Sequence, residues 1–362
     1  MRSFADLDQL LGRVPSRVVK HLGAIDRGVG SEQLFRTQMP GLLDQLADRA
    51  RVLSVTASSA IEGVTVDSPE RAERIIRGQV GGLRTRDERE LAGYRDALDY
   101  VYREDFSPIN TGLLLHVHRL LFRHTQGSGG VLKAQDNLVV DRAADGTVTP
   151  RFIPVSASET EHFLAELTSR YSIARKKNDH HSVLLVGLFA LDLLVIHPFE
   201  DGNGRVARIT SNALLLDGGY QMCRYVSLEK IIADNAEKYY SSLLASTRGW
   251  HDGQHDPWPW LEYFSATVAT AYSIFADRAA AGRSGVSKQD RVRDHILWHA
   301  PRRFRLDDVR TALPGVSDQT IRIALNALRD EGHVISNGVG RAAFWTRLDR
   351  PEPPSKPEPP ST

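Results

Sequence analysis

Apolar positions recur along most of this 362-residue chain at intervals of three, four and seven, the spacing of one buried helical stripe. Residues 1–110 read as helical. In LLDQLADRARVLSVTASSAIEG the spacing is kept by Leu42, Leu46, Leu53 and Ala57, and Gly63 stands where a helix would stop. A further helix is predicted over Arg86–Tyr102, with a charged start and Leu91, Tyr94 and Leu98 on one face, broken by Ser107-Pro108. Another runs over Leu113–Phe122 and ends near His124. Between 126 and 155 the character changes, and two short β-prone pieces flank Asp145-Gly146, a hairpin signal. Helical spacing then returns over 158–176 and 182–196. After a loop at 197–202 another helix runs to about Leu216, closed by Gly218-Gly219, and two more follow over 229–247 and 258–280.

Past Ala281, AGRSG reads as a linker. Three short helices follow over 288–299, 306–312 and 317–331, the last with Ser317 as its cap and Ile321, Leu325 and Leu328 on one face. Residues 332–345 read as a two-stranded wing, and the closing PEPPSKPEPPST as a disordered, proline-rich tail. The expected organisation is a helical N-terminal region (1–110), a core (111–283), a small appended unit (284–348) and the tail (349–362).

Composition adds limits. At 41% hydrophobic and 25% charged the chain has ordinary globular material, enough for two domains. Its net charge is +1, and of 46 basic residues 38 are Arg and 8 are Lys, so no arginine points to phosphate by its identity alone. One cysteine, Cys223, excludes a disulfide framework and a multi-cysteine zinc site. The first residues lack the apolar stretch of a secretory signal, and the longest apolar run, Val183–Ile196, is 14 residues and carries Asp192, short for a bilayer. A soluble protein of the reducing cytoplasm, with no membrane partner, is expected. His116 with His118, and His180 with His181, lack acidic or cysteine partners at ligand spacing and read as structural or surface residues.

The chemistry concentrates in His197-Pro-Phe-Glu-Asp-Gly-Asn-Gly-Arg-Val-Ala-Arg208. An apolar helix enters a proline-stopped turn that leaves a histidine at its tip, and Gly202-Asn203-Gly204 feeds a new helix. Two glycines let successive N–H groups converge at that helix's N-terminus, an anion-binding nest. Arg205 and Arg208 share the face beside it. Asp201 is a hard oxygen ligand suited to Mg²⁺, and a neutral imidazole beside phosphate is a natural general base for a hydroxyl.

The string resembles the signature of the Fic (Fido) family, His-x-Phe-x-(Asp/Glu)-Gly-Asn-Gly-Arg-x-x-Arg, and matches every specified position. The resemblance implies a mainly α fold, a Fic-type helical core with a β-hairpin flap, and protein adenylyltransfer: AMP passes from ATP to a Ser, Thr or Tyr hydroxyl of a target protein or of the chain itself. By the same resemblance His197 is the base and Asp201 holds Mg²⁺. Gly202, Asn203, Gly204 and Arg205 line the anion hole, and Arg208 holds the γ-phosphate. The hairpin around 131–153 stands for the family's flap, which pairs with the target as an added strand. Relatives often read Phe-Arg-Thr where this chain has Leu132-Lys133-Ala134. Tyr239-Tyr240 resembles the tyrosines bordering the adenine pocket, with core packing as the alternative reading. Ser58-Ser-Ala-Ile-Glu62-Gly63 fits the inhibitory pattern (Ser/Thr)-x-x-x-Glu-(Gly/Asn), in which Glu62 would pair bidentately with Arg208 and deny it to ATP. The same site could instead remove AMP, with Glu62 orienting a water.

The order of elements in 284–348 resembles a winged helix-turn-helix, an appendage frequent in Fic proteins. Residues 286–348 hold eleven Lys/Arg against seven Asp/Glu, and Gln319, Thr320 and Arg322 open the third helix, so its partner is either DNA or another protein. The rival function is a DNA-binding transcriptional regulator whose Fic portion only senses nucleotide. An intact His197 and Asp201 argue against it.

Overall fold

The computed structural model describes residues 2–38, 40–103, 109–142, 148–283, 288–298, 300–313, 315–338 and 343–348. The chain divides into two compact units, Met1–Ala279 and Ala280–Thr362. In the first the order is α1 (Leu7–Leu11), α2 (Ser16–Gln38), α3 (Pro40–Ile61), α4 (Pro69–Ile76), α5 (Arg86–Arg103), α6 (Thr111–Leu121), β1 (Val139–Arg142), β2 (Val148–Phe152), α7 (Ala157–Lys177), α8 (Ser182–Ile196), α9 (Asn203–Asp217), a 3-10 turn (Gln221–Arg224), α10 (Leu228–Ala233), α11 (Ala236–Thr247) and α12 (Trp258–Arg283).

A helix that is apolar on every side has to be surrounded by protein. That describes α8, SVLLVGLFALDLLVI, where every residue but Ser182 and Leu194 is buried. Helix α9 follows after one turn and is buried from Arg205 to Leu216. Helices α3, α5 and α6 pack on α9, and α7 packs on α8. The site joining α8 to α9 is therefore fixed from several sides. The N-terminal helices share one hydrophobic core with the rest of this unit, with Val55, Leu91 and Leu98 in the same cluster as Leu188 and Leu214. The expected boundary at residue 110 does not separate a compact unit.

Most expected helices appear within a residue or two, and the differences have local causes. Asn110 takes the cap of α6, accepting the Leu113 N–H at 3.0 Å, so that helix starts earlier than its apolar stripe. The helix expected over 229–247 is two, broken at Asp234-Asn235, residues whose side chains compete for backbone groups. Helix α4 carries an unread start signal, Ser68 followed by Pro69, with Ser68 capping the Arg71 N–H. The hairpin pairs β1 and β2 antiparallel from Val139↔Phe152 to Arg142↔Val148, with an irregularity after Val139. Its Asp145-Gly146 turn, Ser107-Pro108 and the tail lie outside the described residues. Residues 131–138, expected in the hairpin, are not strand, and the Lys133 N–H is bonded to Pro198 O instead.

The second unit runs α13 (Lys288–Trp298), β3 (Arg303–Phe304), α14 (Leu306–Ala312), α15 (Asp318–Asp330), β4 (Val334–Asn337) and β5 (Phe344–Arg347). Ser317 caps α15. The sheet has three strands in the order β3-β5-β4, all antiparallel, where the sequence predicts two. Val292, Phe304, Ile321, Leu325 and Leu328 form its separate core.

Candidate active site

Helix α8 ends at His197, whose backbone is left-handed (φ 50°, ψ 60°) and whose N–H donates to Leu193 O. Among the described residues only Asn178 shares such a positive φ without being glycine, and the conformation costs a bulky residue about 1 kcal/mol or more. The turn therefore has to be held by other bonds. Asn203 closes it from α9, its side-chain oxygen accepting the Phe199 N–H at 2.9 Å and its amide donating to Phe199 O at 2.7 Å. His118 on α6 holds it from a third side. Its Nδ1 accepts the Gly130 N–H, so Nε2 carries the proton and donates to Asp201 O at 3.1 Å, while the ring stacks on Phe199 at 3.8 Å. Burial holds its pKa down at about 4, and it is a neutral structural group.

The His197 ring has its Nδ1 3.1 Å from Leu194 O. A carbonyl can only accept, so Nδ1 carries the proton of the neutral ring and Nε2 keeps the lone pair. Burial lowers the pKa to about 4, with Lys133 acting in the same direction and the Leu194 carbonyl, Glu62 and Asp201 opposing. The ring is therefore neutral at physiological pH. Phe152, closing β2, meets the ring edge-on at 6.2 Å.

Gly202 takes φ 82° to turn the chain into α9, a conformation that favours glycine. The first turn of α9, Asn203-Gly204-Arg205, has N–H groups with no acceptor inside the helix. Arg205 lies beside it, 3% exposed, bound to Glu90 at 2.7 Å and to Asp201 Oδ1 at 3.2 Å. The same Oδ1 accepts the Gly202 N–H at 2.6 Å. Glu90, on α5, was not singled out from the sequence. Its signal is an acidic residue on the apolar stripe of Tyr94, Ala97 and Val101.

Arg208 is 4% exposed along its side chain. Its Nε donates to Ser58 Oγ at 2.9 Å, and one terminal nitrogen donates to Ser58 O at 3.3 Å and Glu62 Oε1 at 2.7 Å. The pair is thus through one carboxylate oxygen, a correction to the bidentate expectation, because Ser58 takes the Nε–H and shares the terminal nitrogen that reaches Glu62. Burial works against its charge, but Glu62 and the nearby tyrosine hydroxyls win and the pKa is raised. Gly63 (φ 76°) follows the end of α3 and lets Glu62 turn towards α9. A Cβ at Gly204 would lie 2.6 Å from Glu62 Oε1, so the carboxylate sits against the first turn of α9.

The structure therefore brings His197, Asp201, Gly202–Arg205, Arg208, Ser58 and Glu62 to one place. It does not bring both tyrosines to an open surface. Tyr239 is 3% exposed, packs edge-on against Trp260 and Tyr263, and lines a cavity of about 30 Å³ behind Arg208, whereas Tyr240 is half-buried. Among the described residues no three His, Cys, Asp or Glu side chains gather as a metal site, and no helix is long and apolar enough to cross a membrane.

The family model described as Fic/DOC family matches residues 108–215. The chain is 26% identical to a protein named protein adenylyltransferase Fic from Aedes aegypti over 214 residues, 57% of this chain and 39% of that protein. It is 36% identical to the protein adenylyltransferase and cysteine protease IbpA of Histophilus somni over 98 residues, 27% of this chain and 2% of that protein. The chain thus spans two fifths or less of the length of these curated relatives. A crystal structure of a Fic family protein from Desulfovibrio desulfuricans is 20% identical and superposes with a TM-score of 0.61, covering 94% of this chain and 98% of that one. A Fic domain containing signaling protein from Bacteroides thetaiotaomicron is 21% identical, with a TM-score of 0.60 over 74% and 97% of the two chains. This chain is mainly α with a Fic-type fold, and its residues 108–215 carry a Fic/DOC family domain.

Proposed function

We propose that this chain is a nucleotidyltransferase that moves AMP from ATP onto a Ser, Thr or Tyr hydroxyl of a protein, with Glu62 as its brake. The single observation that carries the reading is the unbroken His197–Arg208 string folded so that an imidazole lone pair, an exposed carboxylate and a helix N-terminus converge. The target hydroxyl loses its proton to His197 Nε2 and its oxygen attacks the α-phosphorus. The bond from that phosphorus to the bridging oxygen breaks, and pyrophosphate leaves. The phosphates lie on the first turn of α9, where N–H groups and the helix dipole favour anions. Their negative charge also raises the low pKa of His197 and makes it a stronger base as the substrate binds.

Asp201 fits Mg²⁺, an ion that takes few protein carboxylates: its side chain is 56% exposed and Oδ1 is taken by Gly202 and Arg205, so Oδ2 would be the oxygen to hold the ion. When bound, Mg²⁺ neutralises phosphate charge. Arg205, fixed by Glu90, faces the phosphates, Arg208 takes the γ-phosphate once Glu62 leaves it, and Tyr240 is the tyrosine left to border the adenine. The target strand adds to the hairpin that holds Phe152 against His197. Relatives named protein adenylyltransferase support this reading. With Glu62 orienting a water, the same residues would instead remove AMP from a modified target: the water oxygen attacks the phosphorus, the bond to the target oxygen breaks, and free AMP and the hydroxyl are released.

The test is incubation with Mg²⁺ and ATP labelled at the α- or the γ-phosphate, with a lysate as target source. Protein should take up the α-label and not the γ-label. Transfer of the γ-label would make the chain a kinase and sink the assignment.

A further inference from the structure

The carbonyls of four successive residues, Ile196 at the end of α8 and the three that follow it into the turn, each find a donor from one short segment, 133–137. Lys133 Nζ donates to Ile196 O at 3.2 Å. Asn137 Nδ2 donates to His197 O at 3.3 Å and to Phe199 O at 3.0 Å, and the Lys133 backbone N–H donates to Pro198 O at 2.9 Å. The Lys133 ammonium also donates to Asn137 Oδ1 at 2.8 Å and to Val155 O at 2.5 Å. Its three N–H bonds thus have three acceptors. The residue is 4% exposed, in a chain whose other cations are mostly arginine. A cation at a helix C-terminus is also favoured by the dipole.

We infer that Lys133 and Asn137 are positioning residues for His197, a clamp that holds the base in its left-handed conformation and ties it to the foot of the hairpin. None of the bonds touches the imidazole itself. They fix the backbone on either side of it, and with it the direction of Nε2. A reacting group displaced by about 1 Å costs on the order of 10²-fold in rate, so the clamp governs turnover rather than nucleotide affinity. The segment enters β1 two residues after Asn137, so the strand that pairs with a target and the turn that carries the base share one set of bonds.

The side chain at 133 also gives the clamp a pH limit. Burial pulls the Lys133 ammonium down to about 8, and Asp136 on the same segment opposes the shift. His197, at the end of α8, is the titratable group that feels Lys133 in turn. Above that pH the neutral amine has two N–H bonds for three acceptors, and the clamp is left one donor short. An arginine would not titrate in this range.

This inference rests on the AMP-transfer reading for its kinetic arm, and the test includes a second arm that does not. With α-labelled ATP, Lys133→Met and Asn137→Leu should lower kcat roughly ten- to a hundred-fold while KM for ATP changes less than about three-fold. Lys133→Arg should recover most of kcat and lack the fall in rate expected of the wild-type chain as pH rises through about 8. The second arm follows the His197 ring by NMR, assigned by the signal lost in His197→Gln. In Asn137→Leu, which keeps the Lys133 charge, the His197 pKa should rise from about 4 towards the ordinary histidine range as the turn opens to water. In Lys133→Arg it should stay low. If no variant transfers AMP, the kinetic arm falls with the proposed function and the NMR arm still decides. A folded Asn137→Leu with an unmoved His197 pKa overturns the clamp, as does a loss in Lys133→Met that appears in KM alone. Should Lys133→Met fail to fold, Asn137→Leu and the alkaline limb of Lys133→Arg carry the decision.

Discussion

The two ends of the α8–α9 site are held by different kinds of bond. At the His197 end the main-chain carbonyls of the turn accept from Lys133 and Asn137, from the His118 imidazole of α6 and from the Asn203 amide of α9, and the nearby Arg205 is locked to a carboxylate, Glu90, that is 5% exposed. At the Arg208 end the anion is Glu62, 32% exposed at the tip of α3, through one oxygen. A helix-terminal carbonyl bonded inside the protein has no competitor. A partly exposed carboxylate held by one guanidinium nitrogen against the first turn of a helix has one, namely any stronger anion that reaches the same guanidinium. The His197 end is built as scaffold, and the Arg208 end is the one the proposed function would have exchange partners.

The contrast breaks first at the scaffold. His197→Ala should abolish label transfer from α-labelled ATP, a loss on the order of 10²–10⁴-fold for removal of a general base. A folded variant with near wild-type rate would remove His197 from the chemistry. Next in size, Arg208→Ala placed in a Glu62→Gly background should lower initial rates about 10²-fold relative to Glu62→Gly alone, as expected for one lost cationic contact to transferring phosphate. Recovery in the double variant would mean that Arg208 serves only to anchor Glu62.

Glu62→Gly by itself should raise initial rates, by roughly tens to a hundred-fold if displacing a desolvated, charge-assisted contact costs a few kcal/mol. A surface ion pair is worth at most about 1 kcal/mol, and the partial exposure of Glu62 places the effect towards the lower end. Unchanged rates in a folded Glu62→Gly protein would leave the contact without a braking role.

The smallest effect concerns stability in acid. His118 and His197 both titrate at about 4 in the fold because of burial, against an ordinary value of 6.5. The unfolded chain binds their protons first. Their contribution to stability is therefore complete above about pH 6.5 and is lost as pH falls towards 4. The melting temperature should drop over that window, and His118→Asn should drop less from its own, lower starting point. An identical acid slope in the two proteins would assign the loss to other groups.

The sequence carried the site where the site is consecutive. His197 to Arg208 could be read because helix, turn and helix follow one another along the chain, so order alone implies proximity. Ser58 and Glu62 were legible as a pattern, but their geometry was not. Nothing local says that Ser58 takes two guanidinium bonds and leaves Glu62 one. Glu90, His118, Lys133 and Asn137 reach the turn from 60 to 115 residues away, and periodicity carries no information at that range. Helices were legible where apolar spacing ran unbroken, as in α8. Their boundaries were missed where a cap or a polar pair set them, as at Asn110 and Asp234-Asn235.

Arg208 keeps two bonds to Ser58 that do not involve Glu62. When a ligand displaces the carboxylate, the guanidinium keeps its orientation, and no long side chain has to be frozen anew. Ordering such a side chain from solution costs on the order of 1–2 kcal/mol, and here that cost is met during folding. Under the proposed braking role, release of Glu62 would then ask for movement of the end of α3 alone, with Arg208 already oriented by Ser58.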